Sequence, residues 1–509
     1  MSKSQQVIAN TMFLYMRIVV SLLVNVFTTR ILLQALGESD FGLYNVIGGA
    51  ISMLGFLISS MSSATQRFLS YAEGSGNKEK VAVYLNNSII IHYCLALIMV
   101  LVFVVAALFF FNGILNIPDD SFNAAVMIYL CMIVSTVFSI MIVPYDAEVN
   151  AHENMLFYSL LGILDVLFKL FIALAVLYFH SDKLIFYSVL MAVESLVLRY
   201  ICQQYCKRHY NECRHINLRK NYDKAVIKEL TSFAGWNLSN MATGMIALFG
   251  MNIVINHYFG TTVNAAMGIA TQLSGAMMGL SANMIKAITP VLVKSEGEGK
   301  HQRMLEISYE SCKFSYLLFS FACIPVLFFL PNILSVWLTV VPQWTESFCV
   351  VLIIATLIEQ LTVVLFQSIL AGGDIRNYNI AYSVCNVLSL LTGILVFQYV
   401  SVPPYWIFIC RLVFIALLGN VINIYYSHIK LGLCVGEFIK KVIQPVALSS
   451  FIISLFVFFL SREFQNSGWL IGFIVSVLLS VPIYWVASLT QGERSLFVSF
   501  FQKAKKLCI

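Results

Sequence analysis

Uninterrupted apolar runs recur from one end of the chain to the other, each close to the roughly 20 residues that a helix needs to cross a bilayer. No other feature constrains the fold as tightly. Soluble domains carry about 25% charged residues; here 11% are charged and 60% are hydrophobic. Such a chain cannot cover a water-facing surface. The runs are continuous rather than alternating, which excludes a membrane barrel and leaves an all-α polytopic membrane protein. The first run, about Val7–Leu36, is too long for a cleavable signal, and no small-residue cleavage site follows it.

Fourteen helices are expected. Six lie near 8–35, 41–66, 85–111, 124–145, 156–179 and 184–205, and six more near 232–257, 264–289, 311–331, 347–371, 378–399 and 405–427. A last pair lies near 442–461 and 467–488. Positive charge orients them. With the N-terminus in the cytoplasm, the inner segments hold 23 Lys and Arg, and the outer ones hold Arg30, Lys183 and Arg462 alone. Both termini are therefore expected to be cytoplasmic. The net charge of +6 is an inner-face charge and needs no nucleic-acid partner.

The stretch ALGESDFGLYNVIGG, residues 35–49, interrupts two apolar runs. Gly37 and Gly42 permit a sharp outer turn at 36–40, and Glu38 and Asp40 suit water and the N-terminus of the next helix. A faded copy, YFGTTVNAAMGIATQ, stands at 258–272, a shift of 223. At the same shift EGSGNK from Glu73 meets EGEGKH from Glu296. FFFNGILNI from Phe109 meets FFLPNILSV from Phe328, and Ala151, Asn154 and Tyr158 meet Ala371, Asp374 and Tyr378. Helices 1–6 and 7–12 thus read as two copies of one bundle, inserted with the same orientation because six is even. Parallel repeats are a transporter signature, with substrate bound between the halves. The repeat also disposes of GEGK at 297–300 as a phosphate loop: no GxxxxGK[ST] surrounds it. No nucleotide or other cofactor is expected.

The expected domains are an N-lobe at 1–205, a basic cytoplasmic linker at 206–230, a C-lobe at 231–428, and helices 13–14 with a basic tail at 429–509. The linker carries seven Lys or Arg and reads as a positive-inside anchor on anionic lipid. Cys202, Cys206, Cys213 and His215 cluster there, but no CxxC pair exists, so free thiols are expected and no metal site.

A charge at mid-bilayer costs at least about 2.5–3.5 kcal/mol, so each one needs a partner, a wet cavity or a task. Arg17 shares a narrow helical stripe with Asn10, Ser21 and Thr28, with Asn25 at its edge, on a helix otherwise apolar. Its repeat mate is Asn240. Asp165 and Lys169 are four apart and can pair on one helix face. They are either a self-neutralised pair or part of a charge relay with Glu194. Arg411 and Glu359 could pair across the second half. The cations Arg17, Lys169 and Arg411 suit an anionic substrate headgroup. The carboxyls Asp165, Glu194 and Glu359 are candidates for coupling to protons or sodium.

LGESDFGLYNVIGG resembles the LG-x-x-x-[FY]-G-x-[FY] signature of bacterial polysaccharide flippases, and NHYFGTTVNAAMGIATQ resembles its second-half counterpart. NAHENMLFY at 150–158 and LAGGDIRNY at 370–378 resemble inner loops of the same family. The resemblance places the chain in the multidrug, oligosaccharidyl-lipid and polysaccharide exporter superfamily, closest to the Wzx-type O-antigen and capsule flippases. It implies a monomeric protein of the bacterial cytoplasmic membrane. Such a protein moves undecaprenyl-pyrophosphate-linked oligosaccharides outward through a cavity between two six-helix lobes, alongside the polymerase and glycosyltransferases of its pathway. Arg17 matches the family tendency for cations on the first helix. The alternatives are a drug antiporter of the same superfamily, a flippase for the peptidoglycan precursor, and, as a different class, a scaffold or membrane glycosyltransferase. No catalytic residues are expected, because no sizeable soluble domain exists to hold a sugar-nucleotide site.

Overall fold

The computed structural model describes residues 3–52, 55–111, 122–214, 216–217, 221–338, 340–464 and 468–495. Among these residues the regular structure is helical throughout, and no strand occurs. The first half comprises α1 (Lys3–Ser52), α2 (Gly55–Gly74), α3 (Lys78–Phe109), α4 (Phe122–Ala151), α5 (Met155–Tyr178), α6 (Lys183–His209) and the single turn α7 (Asn211–Arg214). There follow α8 (Lys224–Gly297), α9 (His301–Phe328), α10 (Leu330–Trp337), α11 (Thr345–Glu359), α12 (Val363–Gly372), α13 (Arg376–Tyr399), α14 (Trp406–Arg411) and α15 (Leu418–Leu431). The last are α16 (Val435–Phe438), α17 (Gln444–Glu463) and α18 (Trp469–Ala487).

Eleven described helices are long and apolar enough to cross a membrane, or 12 when the bent pair α11 and α12 counts as one span. The expected count of fourteen differs for two local reasons. The 74-residue α8 counts once although its backbone leaves helical geometry at Gly260. The second expected span is divided between the end of α1 and α2, on either side of residues 53–54.

The duplicated sequence landmarks have duplicated backbones. Gly37 (φ 81, ψ 172) and Gly260 (φ 82, ψ −178) break α1 and α8 in the same way. Gly76 (φ 70) and Gly299 (φ 72) close the matched loops after α2 and α8, and Glu153 (φ 56) and Gly373 (φ 89) follow the ends of the matched α4 and α12. All six lie at positive φ, where glycine is the default; Glu153 is the exception. Several sequence landmarks fall outside the described residues: 112–117 of FFFNGILNI, His215, Arg219 and Lys220 of the linker, and the tail from 496.

Two compact units emerge: Asn10–Leu238, and Met1–Ala9 with Ser239–Ile509. The boundary falls inside α8 rather than in the linker, because the linker and the first turns of α8 pack on the first unit. Ser60 Oγ donates to Ala234 O at 2.7 Å, and Asn87 donates from Nδ2 to Asn221 O at 2.8 Å and accepts from Asp223 N at 3.0 Å. Within the first unit α4 packs against α2, α3 and α6, with Ile47, Phe103, Ile128, Tyr129 and Ile140 in its core. The three linker-side cysteines, Cys202, Cys206 and Cys213, are buried in an apolar cluster with Leu85 and Tyr145.

Within the second unit α9 packs against α11, α12, α17 and α18. Lipid offers no hydrophobic drive between helices, so polar contacts and close packing carry more of the association. One such contact is ionic. Lys313 of α9 lies 2.6 Å from Glu493 Oε1, both nearly buried. Glu493 also takes Thr490 N at 2.7 Å and Thr490 Oγ1 at 2.9 Å, while its own N–H faces Thr490 Oγ1 at 3.4 Å. That is a reciprocal capping box, here tied to a buried lysine.

Between α11 and α12 the span bends by 43°. The bend tightens the backbone: Leu361 N reaches Ile358 O at 3.2 Å. Asn420 of α15 straddles it, donating to Ile358 O at 2.7 Å and accepting from Thr362 Oγ1. Asn423 donates to Thr362 Oγ1 at 2.9 Å and accepts from Tyr378 OH at 2.8 Å.

Candidate functional site

A cavity of about 440 Å³ opens within the first unit. Its polar lining gathers Asp165 and Lys169 of α5, Ser188, Glu194 and Ser195 of α6, and Ser135, Thr136 and Ser139 of α4. The spacing along α5 explains the first pair: positions four apart stack on one helix face. Lys169 Nζ lies 2.7 Å from Asp165 Oδ1 and 2.9 Å from Oδ2, and both side chains keep about a third of their surface exposed (35% and 30%). Glu194 is buried from the opposite wall, within side-chain hydrogen-bond reach of Asp165. Its Oε1 has no hydrogen-bond partner among the described residues. One ammonium thus faces two carboxylates in a small polar chamber. Among the described residues it unites three of the six charges singled out from the sequence.

Arg17 does not line this chamber but stands one turn from it. Its guanidinium lies over the Tyr158 ring, 4.9 Å from the centroid. Gly162 makes that placement feasible, since a Cβ there would fall 2.5 Å from Arg17 Cδ. Of the residues on the same stripe, Asn10 is buried and donates to Glu153 O at 3.1 Å, so it ties α1 to the α4–α5 loop. Ser21 is half-buried and Asn25 is exposed.

The second unit brings Arg411 and Glu359 together across α14 and α11, NH2 to Oε1 at 3.2 Å. Asn240 joins a ladder that sequence reading did not foresee. It donates to Asn379 Oδ1 at 3.2 Å and accepts from Asn386 Nδ2 at 3.2 Å, which also reaches Thr243 Oγ1 at 3.4 Å. Asn379 and Asn386 stand seven apart on α13, two turns on one face, and that spacing was the available signal. Lys313 and Glu493 were likewise missed.

Residues 5–296 match the family described as polysaccharide biosynthesis protein. The chain belongs to that family. No curated protein sequence matches it significantly. Among solved structures this family member is similar to MATE in the straight conformation, with TM-score 0.71 and 12% identity over 84% of this chain and 96% of that one. It is also similar to a MOP superfamily transporter from Pyrococcus furiosus whose binding pocket is described as of reverse polarity, suggesting a different function. There the TM-score is 0.69, with 12% identity over 85% and 98% of the two chains. A third similar structure is an outward-facing multidrug resistance MATE family transporter of the MOP superfamily, TM-score 0.68, 11% identity over 85% and 98%. At such identities the likeness is one of fold. This member of the family therefore has the fold of the MATE structures, as a multi-pass all-α membrane protein.

Proposed function

We propose that this protein is a flippase that moves undecaprenyl-pyrophosphate-linked oligosaccharide repeat units across the bacterial inner membrane by alternating access, coupled to an ion gradient. The observation that carries the reading is the match of residues 5–296 to the polysaccharide biosynthesis family on a fold shared with MATE transporters. The first supports a polysaccharide-related substrate and the second supports movement by alternating access.

The charges support it. Lys169 lines a cavity with its ammonium partly exposed, and such a group binds pyrophosphate oxygens through charge-assisted hydrogen bonds. Asp165 neutralises Lys169 when no substrate is present. Glu194 beside them offers a site for the exchanged proton or sodium ion. Arg17 and Arg411 are the further cations assigned to the substrate path, and Glu359 is the second-half acid. Asn10, Ser21, Asn25 and Asn240 are assigned as polar groups of that path.

The test is complementation. The gene is placed in a bacterium lacking its own O-antigen flippase, and surface polysaccharide is measured for the native protein, Lys169→Ala and Arg17→Ala at matched expression. Native restoration with loss in Lys169→Ala supports the flippase and the role of the cavity. The likeness to a multidrug resistance transporter favours a second reading, a drug antiporter. Drug resistance conferred by the gene without restored polysaccharide in any acceptor strain would replace the first reading by the second.

A further inference from the structure

In the first unit three carboxyl side chains, from α2, α4 and α7, converge on one imidazole. His152 stands in the short loop between α4 and α5. Its Nε2 lies 2.7 Å from Glu212 Oε1 of α7 and 3.2 Å from Glu148 Oε1 of α4, and its Nδ1 lies 3.6 Å from Glu73 Oε1 of α2. Glu73, His152 and Glu212 can each offer one atom with all three atoms within 4.8 Å of one another. Glu148 is fully buried, and its Oε2 has no hydrogen-bond partner among the described residues. The Tyr210 ring stacks on His152 at 4.1 Å and 6°, fixing the plane of the imidazole. Asn154 holds Tyr210 in turn, with Nδ2 3.3 Å from its hydroxyl.

Three carboxyl groups cage one imidazole, more acid than the single base can neutralise. Without a metal the cage draws a proton. Burial opposes charge on His152, but hydrogen bonds to Glu148 and Glu212 and the nearby carboxylates outweigh it and lift its pKa to about 9. The hydrogen bond from His152, against the opposing effect of burial, holds Glu212 down at about 2. A divalent cation would satisfy the same excess more fully and would engage the unpartnered Glu148 oxygen.

We propose that Glu73, Glu148, His152 and Glu212 form a binding site for a divalent transition metal of the zinc and manganese class. One nitrogen and several carboxylate oxygens are the donor set such ions take. Metal-to-ligand distances of roughly 2.0–2.2 Å put tetrahedral ligand atoms about 3.3–3.6 Å apart; Glu148 and Glu73 stand at 3.2 and 3.6 Å from the nearer imidazole nitrogen, and Glu212, at 2.7 Å, would draw back as the ion displaced the shared proton. The side chains of Glu73 (28% exposed) and His152 (22% exposed) leave a path from the aqueous side. The ion would bind together the inner end of α2, the α4–α5 loop and α7. It would fix the inner rim of this unit whatever substrate the protein carries.

The test uses untagged, chelator-washed protein in detergent, titrated separately with Zn²⁺ and Co²⁺. Bound metal is counted by mass spectrometry after gel filtration, and Co²⁺ coordination is read from its visible absorption. The expected result is one Zn²⁺ per chain, with affinity weakened at least about tenfold in His152→Ala and in Glu212→Gln. It should be unchanged in His209→Ala, which removes an exposed histidine outside the cluster. Zn²⁺ should also raise the melting temperature of the native protein and not that of Glu212→Gln. The Gln variant keeps the side-chain shape, so the test stands if the Ala variant does not fold. Substoichiometric metal in the native protein, or equal binding in Glu212→Gln, would overturn the proposal and leave the cage to its proton.

Discussion

Gly37 and Gly260, 223 residues apart, hold one backbone conformation: φ 81, ψ 172 at the first and φ 82, ψ −178 at the second. A Cβ at either would meet nothing within 4 Å. Steric crowding therefore plays no part, and the whole penalty of substitution is conformational. That region of backbone space is essentially open to glycine alone and costs other residues about 1–3 kcal/mol. Gly37→Ala and Gly260→Ala should each lose about that much stability in thermal denaturation. Gly275→Ala, with equal room but ordinary helical φ, should lose none.

The buried pair of Lys313 and Glu493 has an asymmetric energetics. Removing one partner strands the other charge, at a cost of about 3–5 kcal/mol, whereas replacing both by apolar residues is often neutral or stabilising. Lys313→Met should sharply lower the melting temperature. Lys313→Met with Glu493→Leu should recover most of the loss, short of the capping contribution of Glu493 to Thr490. A double-mutant cycle on detergent-solubilised protein checks both.

Arg17 depends on a missing methyl group. Gly162→Ala would drive the Arg17 side chain off its place over Tyr158, because the new Cβ would lie 2.5 Å from Cδ. The helix itself should tolerate or gain slightly from the change. If the position of Arg17 serves transport, Gly162→Ala should reproduce the Arg17→Ala defect in the complementation assay while the protein accumulates normally. Full activity in Gly162→Ala would show that the cation works from another position.

Arg411 and Glu359 face each other across two helices at 3.2 Å. Arg411→Glu should place two like charges together within the membrane and reduce both accumulation and activity. Adding Glu359→Arg should restore accumulation. Restored activity as well would mark the pair as structural, and accumulation without activity would mean that the orientation of the charges serves transport.

The parts of the fold that were legible in the sequence are those written locally. Membrane class follows from scarce charge, turns follow from glycines beside acids, and the duplication follows from landmarks in order at nearly one spacing. The Asp165–Lys169 pair was legible because helical geometry fixes neighbours at i and i+4. The proposed partnership of Arg411 and Glu359 was reached by scarcity: few charges lay in the spans, so few pairings existed. The His152 cage was not legible, because its members come from four segments and each reads as an ordinary inner-face residue. Lys313 escaped for the same reason, standing at the start of the expected span 311–331, where lysine is commonplace, although α9 begins at His301 and places it mid-helix. The Asn240 ladder was hidden because an uncharged amide costs less to bury than a charge and its partners lie on a helix distant in sequence. The expected fourteen spans and the eleven or twelve counted among the described helices part where one helix runs into the next through a single glycine, Gly260, and where the second expected span is divided at residues 53–54.

The bend between α11 and α12 has a mechanical meaning. A carbonyl at that depth has no water to turn to, and Asn420 from another helix supplies the extra hydrogen bond while gripping Thr362 on the far side. The stiffness of this joint is thus set by amide side chains outside the bent segment, Asn420 with Asn423 beside it. A straight rod has no such adjustment. Exchanging a single residue on α15 could slacken or tighten the elbow without altering a residue of the arm that flexes.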